Sequence, residues 1–323
     1  MRIKKIGLMI LATVSLMAFT ACGSSKSDKK EVTIGYFNNI THAQALLMKA
    51  EGSLEDKYGE EAEVKWQSFN AGPAEVEALF SGDIDIGYIG PVPAITANVK
   101  SNSDVVVLSG STKGGAVLLQ RSGAGISSVK DLAGKTVAIP QLGNTQHLSL
   151  LHLLSENGLK PDTAGGDVKV TAVANADVEN MMDRGDIDAA LVPEPWGATL
   201  LGKGAELVLD YKDVFMDGDY NVAVVVVRKD FLEENPELVE KFVEEHEAAT
   251  EKINNDNDAT VKKINDEINS ATGKSLSEDI LKEAFGRIGV STELNKESLE
   301  EFANISKEEG FIDKIPDAAN LYK

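Results

Sequence analysis

The sequence predicts an α/β protein of two similar lobes, each a mostly parallel sheet with helices on both faces. Three observations carry this. The first is an internal echo. Ser81-Gly82-Asp83-Ile84-Asp85-Ile86-Gly87-Tyr88-Ile89-Gly90-Pro91 returns about a hundred residues later as Arg184-Gly185-Asp186-Ile187-Asp188-Ala189-Ala190-Leu191-Val192-Pro193. The second is a companion echo at nearly the same offset, Ile40-Thr41-His42-Ala43-Gln44-Ala45-Leu46-Leu47 against Asn144-Thr145-Gln146-His147-Leu148-Ser149-Leu150-Leu151. The third is a regular alternation of strand-like and helix-like segments, the mark of β-α-β units. Two copies do not make a solenoid, which needs at least three. Two facing lobes with a cleft between them imply capture of a small ligand.

The elements follow in order. Residues 32–36 form a short apolar strand that leads through Asn38 and Asn39 into a helix over 41–51. Residues 63–69 read as the next strand, with Val64, Trp66 and Ser68 on one face. A helix begins near Pro73, and a Gly82-Asp83 turn feeds the strand 84–89. Pro91 opens another helix, because proline suits a first turn where no N–H partner is needed. The β-branched run 105–109 reads as a buried strand. The pattern restarts with strands at 116–120 and 137–140, a helix over 145–157, a strand at 169–173, a helix from Asp177, and strands at 188–192 and 207–209. Residues 220–228, with five valines, form a long strand that returns the chain to the first lobe. Beyond Lys229 the chain turns rich in Glu, Lys, Ala and Asn, with helix starts at Asn235-Pro236-Glu237, Ser275-Leu276-Ser277-Glu278 and Asn295-Lys296-Glu297. That region reads as an amphipathic helical cap, Val239, Phe242 and Val243 at helical spacing and His246 on its surface. The division expected is 32–113 with 225–323 as a discontinuous first lobe, and 114–224 as the second.

The N-terminus predicts the compartment. Arg2, Lys4 and Lys5 precede a largely apolar run over 6–19, too short to span a bilayer but suited to a signal peptide over 1–21. It ends at Phe19-Thr20-Ala21-Cys22-Gly23, a pattern like a bacterial lipobox although Phe19 stands where Leu is usual. Cys22 is then the lipidated first residue, and 22–31 a polar tether. The expected location is the outer face of the cell membrane. Cys22 is the only cysteine, which excludes an intramolecular disulfide framework and a Cys-x-x-Cys site. The formal charge of −20 becomes −23 once Arg2, Lys4 and Lys5 are removed, too acidic for a nucleic-acid binder.

Ligand chemistry belongs where strands run into helices, since open α/β sheets bind at the carboxyl ends of strands and helix starts offer free N–H groups. Four such ends stand out: 38–42, 90–94, 142–146 and 194–198. None carries Lys or Arg, while Asn38, Asn39, Thr41, Asn144, Thr145 and Gln146 are neutral donors and cappers. A small oxyanion could be held there by amide and helix dipoles. Thr41 and Thr145 also serve as N-caps, each worth about 1 kcal/mol. Gly90 allows close backbone approach. His42 and His147 sit at the helix starts. Trp196 offers a flat wall with one N–H donor, and Glu194 an acceptor for a ligand ammonium. Gly82-Asp83 and Gly185-Asp186 read as turns on the opposite rim. His147 and His152 lie about 140° apart on a helix, so no metal spacing appears. No glycine-rich phosphate loop is present, and no cofactor is expected.

At these residues the chain resembles the periplasmic-type solute-binding proteins of ABC importers for aliphatic sulfonates, taurine and nitrate. The resemblance rests on Gly35-Tyr36-Phe37-Asn38-Asn39-Ile40-Thr41-His42, Phe69-Asn70-Ala71-Gly72-Pro73, Gly82-Asp83-Ile84-Asp85-Ile86, Gly90-Pro91, Asp131-Leu132-Ala133-Gly134-Lys135, Gly143-Asn144-Thr145 and Pro193-Glu194-Pro195-Trp196. It implies a type II periplasmic-binding-protein fold, two lobes on a hinge that close over a solute and dock on a membrane permease with its ATPase. The cleft positions it implies are Asn39, Thr41, His42, Gly90, Asn144, Thr145, Glu194 and Trp196. The expected ligand is a small anionic or zwitterionic solute, a sulfonate first, because the longer insertions of the nitrate and bicarbonate branch are missing. Nitrate, bicarbonate or a thiamine-precursor pyrimidine are the alternatives for the same receptor. A monomer is expected, and not an enzyme, since no nucleophile or cofactor lysine stands in the four loops. A sensor without a transport role is the remaining reading.

Overall fold

The computed structural model describes residues 29–255 and 257–323; the expected signal segment 1–21 and Cys22 lie outside them. Among the described residues eleven strands form two sheets. The first sheet contains β1 (Lys30–Phe37), β2 (Ala62–Phe69), β3 (Ile86–Ile89) and β4 (Val105–Gly114). The second contains β5 (Ala116–Gln120), β6 (Thr136–Ile139), β7 (Lys169–Ala172), β8 (Ala189–Pro193) and β9 (Glu206–Leu209). β10 (Asn221–Arg228) and β11 (Ile288–Val290) then return to the first sheet.

The spatial orders are β11-β4-β10-β3-β1-β2 and β7-β6-β8-β5-β9. β1 runs parallel to β2, in register from Lys30 against Ala62 to Phe37 against Phe69, and parallel to β3 on its other side. β10 lies antiparallel between β3 and β4. Its run of valines is buried along nearly its whole length, as a strand covered on both faces requires. In the second sheet β6 is parallel to β7 and β8, and β5 is antiparallel to β8 and β9. The chain crosses directly from sheet to sheet at Gly114 and Gly115, both in the left-handed region at φ 70° and 79°. A side chain there is barred twice, since a Cβ on Gly115 would also lie 2.5 Å from Ile288.

The echoed Gly-Asp-Ile-Asp segments do structural work at the strand ends away from the loops singled out above. Gly82 and Gly185 are left-handed C-caps of the helices Gly72–Ser81 and Val178–Arg184. The second aspartate of each copy pins its sheet. Asp85 accepts the Thr33 N–H at 2.9 Å and pairs with Arg228 at 3.1 Å. Asp188 accepts the Thr136 N–H at 3.0 Å and pairs with Arg121 at 2.9 Å.

The long C-terminal helix Pro236–Asn255 covers the first sheet. Val239, Phe242, Ala249 and Ile253 of the helix Pro236–Asn255 share a core cluster with Val32, Ile34 and Leu46. One expectation fails here. His246 is fully buried, its ring between the Tyr88 hydroxyl at 2.7 Å and the Gly110 carbonyl at 2.9 Å. It stands four and seven residues after Phe242 and Val239, on their apolar face, and that spacing outweighs its glutamate neighbours. β11 is also new, a three-residue edge strand too short to show a period of two. None of the described helices is long and apolar enough to cross a membrane.

Candidate functional site

The loop after β1 is shaped by its own side chains. Asn39 caps the short turn Ile40–His42, its Oδ1 accepting the Thr41 N–H at 3.0 Å and the Thr41 hydroxyl. Thr112 on β4 anchors the turn by donating to the Thr41 carbonyl at 2.7 Å. His42 is 1% exposed and stacks on Phe37 at 4.3 Å. Its Nδ1 accepts the Phe37 N–H at 3.0 Å, which leaves Nε2 to carry the proton as a donor. Burial lowers its pKa to about 3, so the ring is neutral at physiological pH.

Three full helices begin beside this turn. Gly72–Ser81 starts from the extended residue Ala71 with proline in its first turn. Pro91–Lys100 starts from Gly90 in the same manner. Thr145–Glu156 is capped by Asn144, whose Oδ1 accepts the His147 N–H at 2.8 Å. Neither of the first two starts is capped by a side chain, and the N–H groups that their prolines leave, those of Gly72 and Ala74 in one and Val92 in the other, have no side-chain cap.

These pieces meet in one cleft between the sheets, lined by Asn39, Thr41, His42, Asn70, Ala71, Gly72, Gly90, Asn144, Thr145, Gln146 and Asn175, with Phe37, three prolines and Val222. The non-atom space is about 430 Å³, open mouth included. The lobes come close across it. A Cβ on Gly90 would lie 2.5 Å from the Thr145 Oγ1. That hydroxyl is buried without a partner, as is the Asn175 Oδ1. Buried polar atoms left unpaired cost about 1–3 kcal/mol each, so both are poised for a ligand or water to satisfy. Among the described residues no Lys, Arg, Asp or Glu lines the cleft. Nor do three or more His, Cys, Asp or Glu gather as a metal site among them.

Six of the eight expected positions therefore converge: Asn39, Thr41, His42, Gly90, Asn144 and Thr145. Glu194 and Trp196 lie outside the lining. Glu194 is fully buried with both oxygens engaged, Oε1 by Arg287 at 2.9 Å and Oε2 by the Ala198 N–H at 2.9 Å. Burial raises its pKa, against the opposing pull of the Ala198 N–H and Arg287. Trp196 opens the helix Trp196–Leu201 and packs against the second-lobe cluster of Val117, Leu119, Ala138 and Val192. His147 is half-buried against Phe311, its Nδ1 taken by the Gly143 N–H. Asn70, Ala71, Gly72 and Asn175 complete the lining instead. The first three were readable, since Gly72-Pro73 after a strand repeats the logic of Gly90-Pro91. Asn175, in the loop after β7, had no such marker.

The comparisons with known proteins agree with this architecture. The chain is 32% identical over 232 residues to the taurine-binding periplasmic protein of Escherichia coli K12, covering 72% of this chain and 67% of that one. It is 31% identical over 238 residues to a putative aliphatic sulfonates-binding protein of the same strain, covering 73% and 70%. In structure it resembles the periplasmic aliphatic sulphonate binding protein SsuA of Escherichia coli, with TM-score 0.73 and 23% identity over 91% of this chain and 97% of that one. The SsuA of Xanthomonas axonopodis pv. citri bound to MOPS gives TM-score 0.76 at 20% identity, over 91% and 98%. At such identities these likenesses establish the fold alone, the two-lobed periplasmic-binding-protein fold. The model of the NMT1-like family matches residues 25–266, and the chain belongs to that family.

Proposed function

We propose that the protein is the extracytoplasmic solute-binding component of an ABC importer, capturing a small sulfonate-type anion between its lobes and delivering it to a membrane permease. The observation that carries this reading is the neutral cleft: helix starts, amides, a threonine hydroxyl and the Nε2–H of His42, with no basic side chain among the described lining residues. The three equivalent oxygens of a sulfonate match several weak donors spread over both lobes better than one cation. The relatives named for taurine and aliphatic sulfonates support the same choice. The lobes in this reading are 32–113 with 225–323, and 114–224; Asn39, Thr41, His42, Gly90, Asn144 and Thr145 contact the ligand. Closure is favoured because only the closed form gives the ligand both sets of donors. The protein makes and breaks no bond, acts as a monomer, and is held to the membrane by a lipid on Cys22.

The test is thermal unfolding of the fragment from Gly23 onward with ethanesulfonate, taurine, nitrate, bicarbonate and a thiamine-precursor pyrimidine. A ligand bound only by the folded state adds about 2.7 kcal/mol at a hundredfold excess over its Kd. A rise with a sulfonate is expected. A rise with nitrate or the pyrimidine alone would replace the ligand, and no rise at all would leave the sulfonate reading without support. Ethanesulfonate should outperform taurine, whose ammonium finds no carboxylate among the described lining residues.

A further inference from the structure

The C-terminal segment bridges the lobes a third time, beside the crossing at Gly114-Gly115 and the return through β10. The helix Glu278–Phe285 packs on the helix Trp196–Leu201 of the second lobe; Ala284 and Ala198 share one core cluster. β11 then pairs with β4 of the first sheet. Arg287 stands between the two. It is 13% exposed and spends its guanidinium on three carboxylates: Glu194 at 2.9 Å, Asp210 at 3.0 Å and Glu283 at 2.9 Å. Its backbone reaches the crossing as well, for a Cβ on Gly114 would lie 2.9 Å from the Arg287 carbonyl. The Glu194 N–H donates to the Gly115 carbonyl at 2.7 Å, and its chain neighbour Pro193 lines the cleft.

We propose that Arg287 is a positioning residue for ligand capture: by clamping Glu194 it fixes how closely the second lobe approaches the first, and so whether Gly90 meets Thr145. This rests on the capture reading above and adds its control. The clamp is directional. Glu194 is held in place, because its second oxygen accepts the Ala198 N–H and its side chain is fully buried. Planar Arg287 meets its three acceptors with donors fixed in one rigid fork, a geometry that the flexible ammonium of lysine does not supply. Moving Arg287 therefore moves Glu194, Pro193 and the start of the helix Trp196–Leu201 together.

Removing Arg287 alone would strand a buried carboxylate and destabilise the fold, so the informative variant removes both charges, E194Q with R287M. Two readouts apply. In the ligand-free protein, small-angle scattering is expected to give a larger radius of gyration than the wild type. With a sulfonate that the wild type binds, stopped-flow release is expected to be about tenfold faster, with association changed by less than about twofold. Arg287→Lys, which keeps the charge and loses the fork, should fall between and serves if the double variant does not fold. An unchanged radius together with unchanged release in a folded variant would overturn the proposal. A wild type that binds no sulfonate would instead defeat the capture reading, and scattering alone would then decide the role of Arg287.

Discussion

The loops 37–42 and 143–147 are built alike, one in each lobe, yet they present their histidines differently. In both, an asparagine caps the helix start and the histidine Nδ1 accepts a backbone N–H at 3.0 Å. His42 is sealed against Phe37 and lines the cleft, whereas His147 lies half-exposed against Phe311 outside it. The strand-end aspartates differ in the same sense. Burial alone would raise both. For Asp188 the Thr136 N–H and Arg121 outweigh it and its pKa is lowered, while the deeper Asp85 stays raised despite Thr33 and Arg228. A repeated motif thus repeats hydrogen bonds faithfully and surroundings loosely. Function sits in the surroundings.

The strongest way to break this comparison is at the point where the lobes touch. Gly90 has φ −67°, open to any residue, so Gly90→Leu should fold normally yet weaken sulfonate binding about a hundredfold, about 2.7 kcal/mol, by calorimetry. Retained tight binding would mean that the lobes need not close to this distance. Next come the aspartates. Asp85→Ala and Asp188→Ala should each cost about 1–3 kcal/mol in urea unfolding, with Asp85 the larger because its pair is less exposed. Equal losses would show that the difference in burial is inconsequential.

The histidines sharpen the contrast further. His42→Phe should weaken the ligand about tenfold, about 1.4 kcal/mol, while His147→Phe changes it by less than about twofold. Equal effects would remove His42 from the site. The pH response has two opposed parts. His42 falls from 6.5 to about 3, so the unfolded chain takes up its proton first; this contribution is complete above pH 6.5 and is lost as pH falls toward 3. Glu75 is the reverse. It lies fully buried where Gly35 and Gly87 leave it room, with neither oxygen partnered among the described residues, and burial raises its pKa well above 4.5. Its contribution is complete below pH 4.5 and lost as pH rises through its raised value. Glu75→Gln should flatten the alkaline side of a stability profile and His42→Phe the acid side. Ligand affinity should stay level between pH 6 and 8, since His42 is neutral throughout.

Much of this was legible in the chain because it depends on near neighbours. The αL caps at Gly82 and Gly185 and the proline starts at Pro73 and Pro91 are decided within a few residues, whereas the N-caps expected at Thr41 and Thr145 fall to Asn39 and Asn144, one or two residues earlier. How Glu194 and His246 are held was not legible, for the opposite reason. Their partners Arg287 and Tyr88 stand 93 and 158 residues away, beyond any local period. Trp196 shows a subtler limit. A strand end can aim an aromatic at the cleft or back into its own lobe, and only the packing of β5 and β8 decides which.

The neutral lining also sets how capture answers to salt. The whole chain carries −20, so an anion approaching from bulk is repelled at long range, and ions shorten that reach to about 10 Å at 0.1 M. Once seated, it faces dipoles rather than a counter-ion, and added ions find no pair to loosen. Rising ionic strength should therefore quicken arrival and leave residence time alone, the reverse of a receptor that relies on arginine.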